Sequence, residues 1–264
     1  GIISGGTGGS NTLNFATYTT AINVTFTSSS ANGYNGTTSG AVNPIGGSFA
    51  NITDIILPAG LGNTLTGQNT GNTWTITSLN SGTLSDGVNI FNFTNVANLI
   101  GGTALDTFIF LGGTLTGNID GGAGTADVIR GDALANAWVI TGANAGTLLT
   151  AMPTGSFTNI ENLVGGSSTD SFTFNASGSL AGSIDGGLGS DTITGRSAST
   201  NAFVVTGANA GTFALITSGF IGIENLVGGT LADTFTLTGG TLTGTVNGLG
   251  GTDTLTGDNV ANTW

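Results

Sequence analysis

The chain has 264 residues and a formal net charge of −12, with Arg130 and Arg196 as its two cations. That balance excludes ordinary nucleic-acid binding, which needs clustered Lys and Arg against phosphates, and it opposes attraction to an anionic membrane. With no His and no Cys, imidazole and thiolate metal sites, thiol nucleophiles and His-based triads are unavailable.

Helix is disfavoured throughout. Lys is absent, Glu occurs only at Glu161 and Glu224, no apolar 3.6-residue period appears, and 49 Gly interrupt the chain. No apolar run approaches the about 18 residues of a spanning helix, so no membrane insertion is expected.

Residues 1–98 are the divergent part. Ile3-Ser4-Gly5-Gly6 followed by Asn11-Thr12-Leu13-Asn14-Phe15 echoes a Gly-Gly…Asp-Thr-Phe opening that recurs later, with Asn for Asp. The stretch from Tyr18 to Phe26 alternates strongly and predicts a strand. Residues 27–46 are polar and rich in Gly and Asn, and predict a long loop excursion. Asn51 to Ile56 then mirrors Asn159 to Val164, which marks the return of the repeat. From Leu99 onward come superrepeats at 99–162 and 163–225 and an incomplete one at 226–264, all read as one continuous array.

The repeat is clearest from Leu163 to Val227. Leu163-Val164-Gly165-Gly166 returns as Leu226-Val227-Gly228-Gly229 and is anticipated by Leu99-Ile100-Gly101-Gly102. Between these, Gly pairs or Thr-Gly-Ala recur about every 21 residues, a period too short for a propeller blade or a helical hairpin but sufficient for one solenoid turn. The expected fold is all-β, a parallel β-solenoid (β-helix) of about 21 residues per coil with three coils per superrepeat of about 64 residues. About twelve coils at about 4.8 Å per rung predict a rod of about 60 Å, with a right-handed path as the default for parallel crossovers.

Side-chain alternation agrees. Thr107-Phe108-Ile109-Phe110, Ser171-Phe172-Thr173-Phe174 and Thr234-Phe235-Thr236-Leu237 place apolar residues two apart, the strand period. Stacking predicts one inward column of Phe108, Ile129, Phe172, Ile193, Phe235 and Leu255, and a second, aromatic one of Trp74, Trp138, Phe203 and Trp264. Each aromatic of the second column follows Asn-Thr or Asn-Ala. Asn98, Asn162 and Asn225, each before Leu, are candidates for an amide ladder inside a corner. The last unit stops in mid-coil at Asn262-Thr263-Trp264, so the expectation is a piece of a longer chain or subunits that stack head to tail.

The Asp positions are the candidate constellation. The 21-residue register stacks Asp106 over Asp127, Asp170 over Asp191, and Asp233 over Asp253. Two readings stand beside each other. Carboxylates and backbone carbonyls are hard oxygen ligands that suit Ca²⁺. Alternatively, Gly and Asp make corner turns, with the charges solvated and pointing apart.

Gly186-Gly187-Leu188-Gly189-Ser190-Asp191-Thr192-Ile193-Thr194 is similar to the calcium-binding nonapeptide of parallel β-rolls. More widely, the IENLVGG…DTFTF and IDGGLGSDTITG elements resemble the strand repeats of very large secreted bacterial adhesins, filamentous-haemagglutinin-like and RTX-type. The resemblance covers about two thirds of the chain well. It implies an extracellular, cell-surface fibre, adhesin shaft or biofilm-matrix component that associates head to tail or within a longer chain and meets surface carbohydrate or other cells. An RTX-like calcium module is the first alternative. An ice- or carbohydrate-binding solenoid is the second, on the Thr-x-Thr triplets at Thr64, Thr192, Thr234 and Thr254. No enzymatic activity is expected: a polysaccharide lyase of this shape needs a Lys or Arg base, and neither Arg has an obvious partner.

Overall fold

The computed structural model describes residues 1–258, and every regular element among them is a β-strand. No described helix is long and apolar enough to cross a membrane. The strands are short, and nearly all alternate one buried with one partly exposed side chain, as the two-residue apolar period dictates. Most pairings are parallel, and the strands belong to two sheets. The chain divides into two compact units, residues 1–128 with 151–159, and residues 129–150 with those from Ile160 onward.

In the first unit, one sheet runs Ile2–Ser4, Ser48–Ile52, Gly33–Gly40, Ile22–Ser30, Thr64–Thr66, Asn98–Ile100, Ile119–Asp120 and Phe157–Thr158. Most of residues 27–46 is therefore strand rather than a loop excursion. Ile22–Ser30 and Gly33–Gly40 form an antiparallel hairpin, with Ile22 facing Gly40 and Ser30 facing Gly33. Its inward residues Val24, Phe26 and Tyr34 are buried, and Gly and Asn serve the turn and close strand approach rather than a loop. A polar composition misleads here because only every second residue of a sheet that faces solvent on one side needs to be apolar.

In the second unit, one sheet runs Ala145–Leu148, Ala137–Gly142, Ser171–Phe174, Thr192–Thr194, Asn225–Gly229 and Val246–Leu249. The other runs Asn162–Gly166, Ile184–Gly187, Ile216–Ile221, Ala210–Phe213, Ala202–Gly207, Thr234–Leu237 and Thr254–Thr256. Parallel neighbours lie about 21 residues apart where the chain turns directly, as for Leu163 with Ile184 and Ser171 with Thr192. They lie farther apart where a hairpin intervenes, as for Ala202 with Thr234.

The segments around Gly142 and Gly207, expected to open a third coil, instead make antiparallel hairpins. Phe203 faces Phe213 and Gly207 faces Ala210, with a bulge before the turn. One consequence was not legible beforehand. Asn162–Gly166 and Asn225–Gly229 share the sequence Asn-Leu-Val-Gly-Gly yet lie in opposite sheets. The hairpin keeps three successive strands in one sheet, so the chain changes sheet an odd number of times between Leu163 and Leu226.

The hairpin tips repeat one device. Asn80, Asn144 and Asn209 hold positive φ of 52°, 51° and 50°. Their Oδ1 atoms accept the backbone N–H of Thr116, Ala181 and Thr243 at 2.9, 2.8 and 2.9 Å. Asn suits both tasks, because it tolerates the left-handed region and carries an acceptor. Asn144→Ala is expected to cost about 2 kcal/mol in a urea titration, from strain plus a lost hydrogen bond. Asn144→Gly should recover the strain but not the bond.

The core corrects the expected columns. Trp74 stacks on Phe108, Trp138 on Phe172 and Phe203 on Phe235, with centroids 5.8, 5.8 and 5.3 Å apart and nearly parallel planes. The aromatic and the Phe positions are thus neighbours in one column, not two separate columns. Within the second unit, Phe172 and Phe235 also lie in different sheets, so the single line through both is broken. Trp264 lies outside the described residues.

Candidate functional site

Asp106, Asp170 and Asp233 each follow a Gly pair and stand two residues before an inward Phe, at Phe108, Phe172 and Phe235. In the first unit, Asn72 N–H and Nδ2 donate to Asp106 Oδ1 at 2.8 and 2.6 Å, and Asp106 N–H donates to Asp127 Oδ1 at 2.7 Å. In the second unit, Asn136 N–H donates to Asp170 Oδ1 at 2.6 Å, Asp170 N–H to Asp191 Oδ1 at 2.7 Å, and Asp191 N–H to Glu224 Oε2 at 2.7 Å. The same unit holds a further ladder of Asn201, Asp233 and Asp253, with donor–acceptor distances of 2.6 and 2.9 Å. All three expected Asp pairs are therefore brought together. Each carboxylate caps the backbone N–H of the preceding rung, a charge-assisted bond that closes the corner.

The charges are not solvated. Asp106, Asp127, Asp170, Asp191 and Asp233 have no accessible surface, whereas Asp253 is exposed. The Gly pair makes this burial possible. A Cβ on Gly101, Gly165, Gly186 or Gly228 would overlap the carboxylate of Asp106, Asp170, Asp191 or Asp233 respectively. The first Gly of the pair supplies space, while at Gly122 and Gly187 the second supplies a φ of 97° and 90°.

Burial pushes Asp106 and Asp170 upward despite the hydrogen bonds they accept. Asp191 rises from 3.8 to about 6, first through burial and then through the negative charges of Asp170, Glu224 and Asp185. Asp170 Oδ2 and Asp191 Oδ2 accept no hydrogen bond, which leaves half of each carboxylate poorly solvated.

A group held above its unfolded pKa binds its proton more tightly when folded, so its stabilisation is full below the unfolded value and is lost as pH rises through the folded one. Thermal stability should therefore fall as pH rises from about 4 to about 6. Asp86, held down at about 2, and Asp54, also lowered, act in the opposite sense at more acidic pH. Differential scanning calorimetry across this range should show a higher melting temperature at the acid end, and Asp191→Asn should flatten the profile while keeping the acceptor for Asp170 N–H.

The oxygens that the ladders commit can be named. Each Oδ1 is already engaged by backbone N–H, and no three acidic side chains converge as a metal-holding group among the described residues. Calcium takes about six to eight oxygens. The Asn residues that head the ladders, and Glu224 at the foot of one, are additions to the expected set. Their signal was present: Asn72-Thr73-Trp74 and Asn136-Ala137-Trp138 repeat the spacing of Asp106-Thr107-Phe108.

The other corner amides also bond forward. Asn98 Oδ1 accepts Asn118 N–H and Asn118 Oδ1 accepts Ser156 N–H, both at 2.9 Å, while Asn162 and Asn225 do the same for Ser183 and Thr245 at 3.0 Å. They are partly exposed rather than enclosed. Arg196 Nη2 donates to Gly178 O at 2.8 Å, and Arg130 is exposed. No family model matches the chain, and no curated protein or solved structure matches it.

Proposed function

We propose that this chain is a stretch of parallel β-solenoid with a structural task, the shaft of an extracellular fibre or bacterial surface adhesin. The observation that carries the reading is the set of Asp and Asn ladders. They spend seven of the fourteen carboxylates on closing corners between rungs, and no three His, Cys, Asp or Glu side chains converge as a metal-holding group among the described residues. In this reading a direct turn takes about 21 residues, a hairpin lengthens every third turn, and the chain associates head to tail or continues within a longer one. It is not an enzyme, and the aspartates hold rungs rather than calcium.

Negative-stain electron microscopy tests the shaft. Narrow rods, or filaments a few nanometres wide, are expected; compact round particles would overturn it. Calcium and a chelator should leave the melting temperature unchanged. A rise of several degrees with millimolar calcium would return the ladders to metal binding.

A further inference from the structure

The outer face of the first unit carries a feature that a plain shaft does not need. Along the strands Asn98–Ile100, Ile119–Asp120 and Phe157–Thr158, the residues Leu99, Ile119 and Phe157 point into the core with no accessible surface. Their neighbours Asn98, Asn118, Asp120, Ser156 and Thr158 form the opposite face, with Thr64 one rung away in register with Asn98. A shallow depression of about 310 Å³ lies there, lined by these side chains and by Ile100.

The hydrogen bonds already made decide what the depression offers. Asn98 is fully used, its Oδ1 by Asn118 N–H and its Nδ2 by Gly62 O at 3.2 Å. Asn118 Oδ1 is held by Ser156 N–H and Oγ, at 2.9 and 3.1 Å, which leaves its Nδ2 with two protons to donate. Asp120 Oδ1 accepts Gly122 N–H at 3.0 Å and Asn159 Nδ2 at 2.8 Å, which leaves Oδ2. The hydroxyls of Thr64 and Thr158 form no hydrogen bond within the described protein. The fixed Asn118 amide and the fixed Asp120 carboxylate thus present spare donors and an acceptor beside Ile100, and their orientation is already set by rung bonds.

We propose that this depression binds an uncharged polyhydroxyl chain, a segment of neutral glycan lying across the rungs. Charge selects the class: no cation lines the depression, Asp120 repels anionic polymers, and the net charge of −12 adds to that. The unused groups are hydroxyl, amide and carboxylate oxygen, which complement sugar hydroxyls that both donate and accept. Ice is the less suited partner, because the depression and the mixed Asn, Asp and Ile positions break a flat hydroxyl array. The inference stands apart from the shaft reading, since a chain that fails to form rods can still bind sugar here.

The test is titration of the whole chain with hexamers of β-1,4-glucose, α-1,4-glucose and β-1,4-N-acetylglucosamine, read by calorimetry or NMR, with a uronic-acid hexamer alongside. At least one neutral hexamer is expected to bind with Kd near or below about 1 mM, and the acidic one to bind at least tenfold more weakly. Asn118→Asp keeps the Oδ1 acceptor for Ser156, removes the donor and adds a negative charge; Thr158→Val removes a hydroxyl at constant shape and constant charge. Each should raise Kd about tenfold, with melting temperatures close to the parent's. No neutral hexamer binding at about 10 mM, equal binding by both variants and the parent, or tighter binding of the acidic hexamer would each overturn the proposal. Thermal hysteresis without sugar binding would also overturn it and give the face to ice.

Discussion

Gly165→Ala is expected to unfold much of the second unit, although it adds a single methyl group. The new Cβ would overlap both Gly186 O, a backbone atom of the next rung, and the carboxylate of Asp170. Neither can yield cheaply. Gly186 belongs to the strand Ile184–Gly187, which pairs in parallel with Asn162–Gly166, and Asp170 Oδ1 holds Asn136 N–H. Overpacking of this kind costs about 1–3 kcal/mol, and displacing a buried carboxylate from its donors adds to it. A loss of about 4 kcal/mol in the urea midpoint analysis is expected. Gly112→Ala provides the comparison: its Cβ meets nothing, and only a φ of 75° opposes it. That change should cost about 1–2 kcal/mol. Equal effects of the two substitutions would overturn the space-supplying role assigned to Gly165.

Trp138→Ala is expected to have a comparable effect from the opposite cause, a void. Trp138 has no accessible surface, faces Leu148 across the hairpin, and stacks on Phe172 with an interplanar angle of 8°. Truncating a buried aromatic of this size costs about 3–5 kcal/mol through lost transfer energy and the residual cavity. Trp138→Phe should lose about 1–2 kcal/mol, because Phe203 fills the equivalent position against Phe235 with its own stacked geometry. Because rungs contact chiefly their neighbours, chevron and equilibrium probes placed near Trp138 should respond before probes near Phe26. A single concerted transition with unchanged midpoint would refute the packing role assigned to this column.

Much of the local structure was legible because its causes are local. Alternation at Thr107–Phe110 and Ser171–Phe174 identified strands and their buried faces, since side-chain direction reverses at every residue of a strand. The recurrence of Gly-Gly and Asp at about 21 residues brought Asp170 to Asp191 correctly, because a fixed repeat in a parallel stack is also a fixed register. The burial of those carboxylates was not legible. An Asp beside Gly reads as a turn residue, and only the tertiary structure shows that the missing Cβ makes room for the carboxylate.

The partner of each strand was the other undetermined quantity. Ala202–Gly207 and Thr234–Leu237 have the same alternation, yet the first pairs antiparallel on one side with Ala210–Phe213 and parallel on the other. Alternation reports which face is buried and is indifferent to the direction of the neighbour, so hairpin and direct turn look alike in the one-dimensional pattern. By itself, then, the amino-acid sequence determined an all-β chain with a stacking repeat, its inward residues and its matched aspartates. The tertiary structure alone decided that most of residues 27–46 joins a sheet, that antiparallel hairpins form around Gly142 and Gly207, and that identical Asn-Leu-Val-Gly-Gly strands fall in opposite sheets. Those choices depend on which backbone groups find each other across the stack, and hydrogen-bonding partners are a property of the assembled chain.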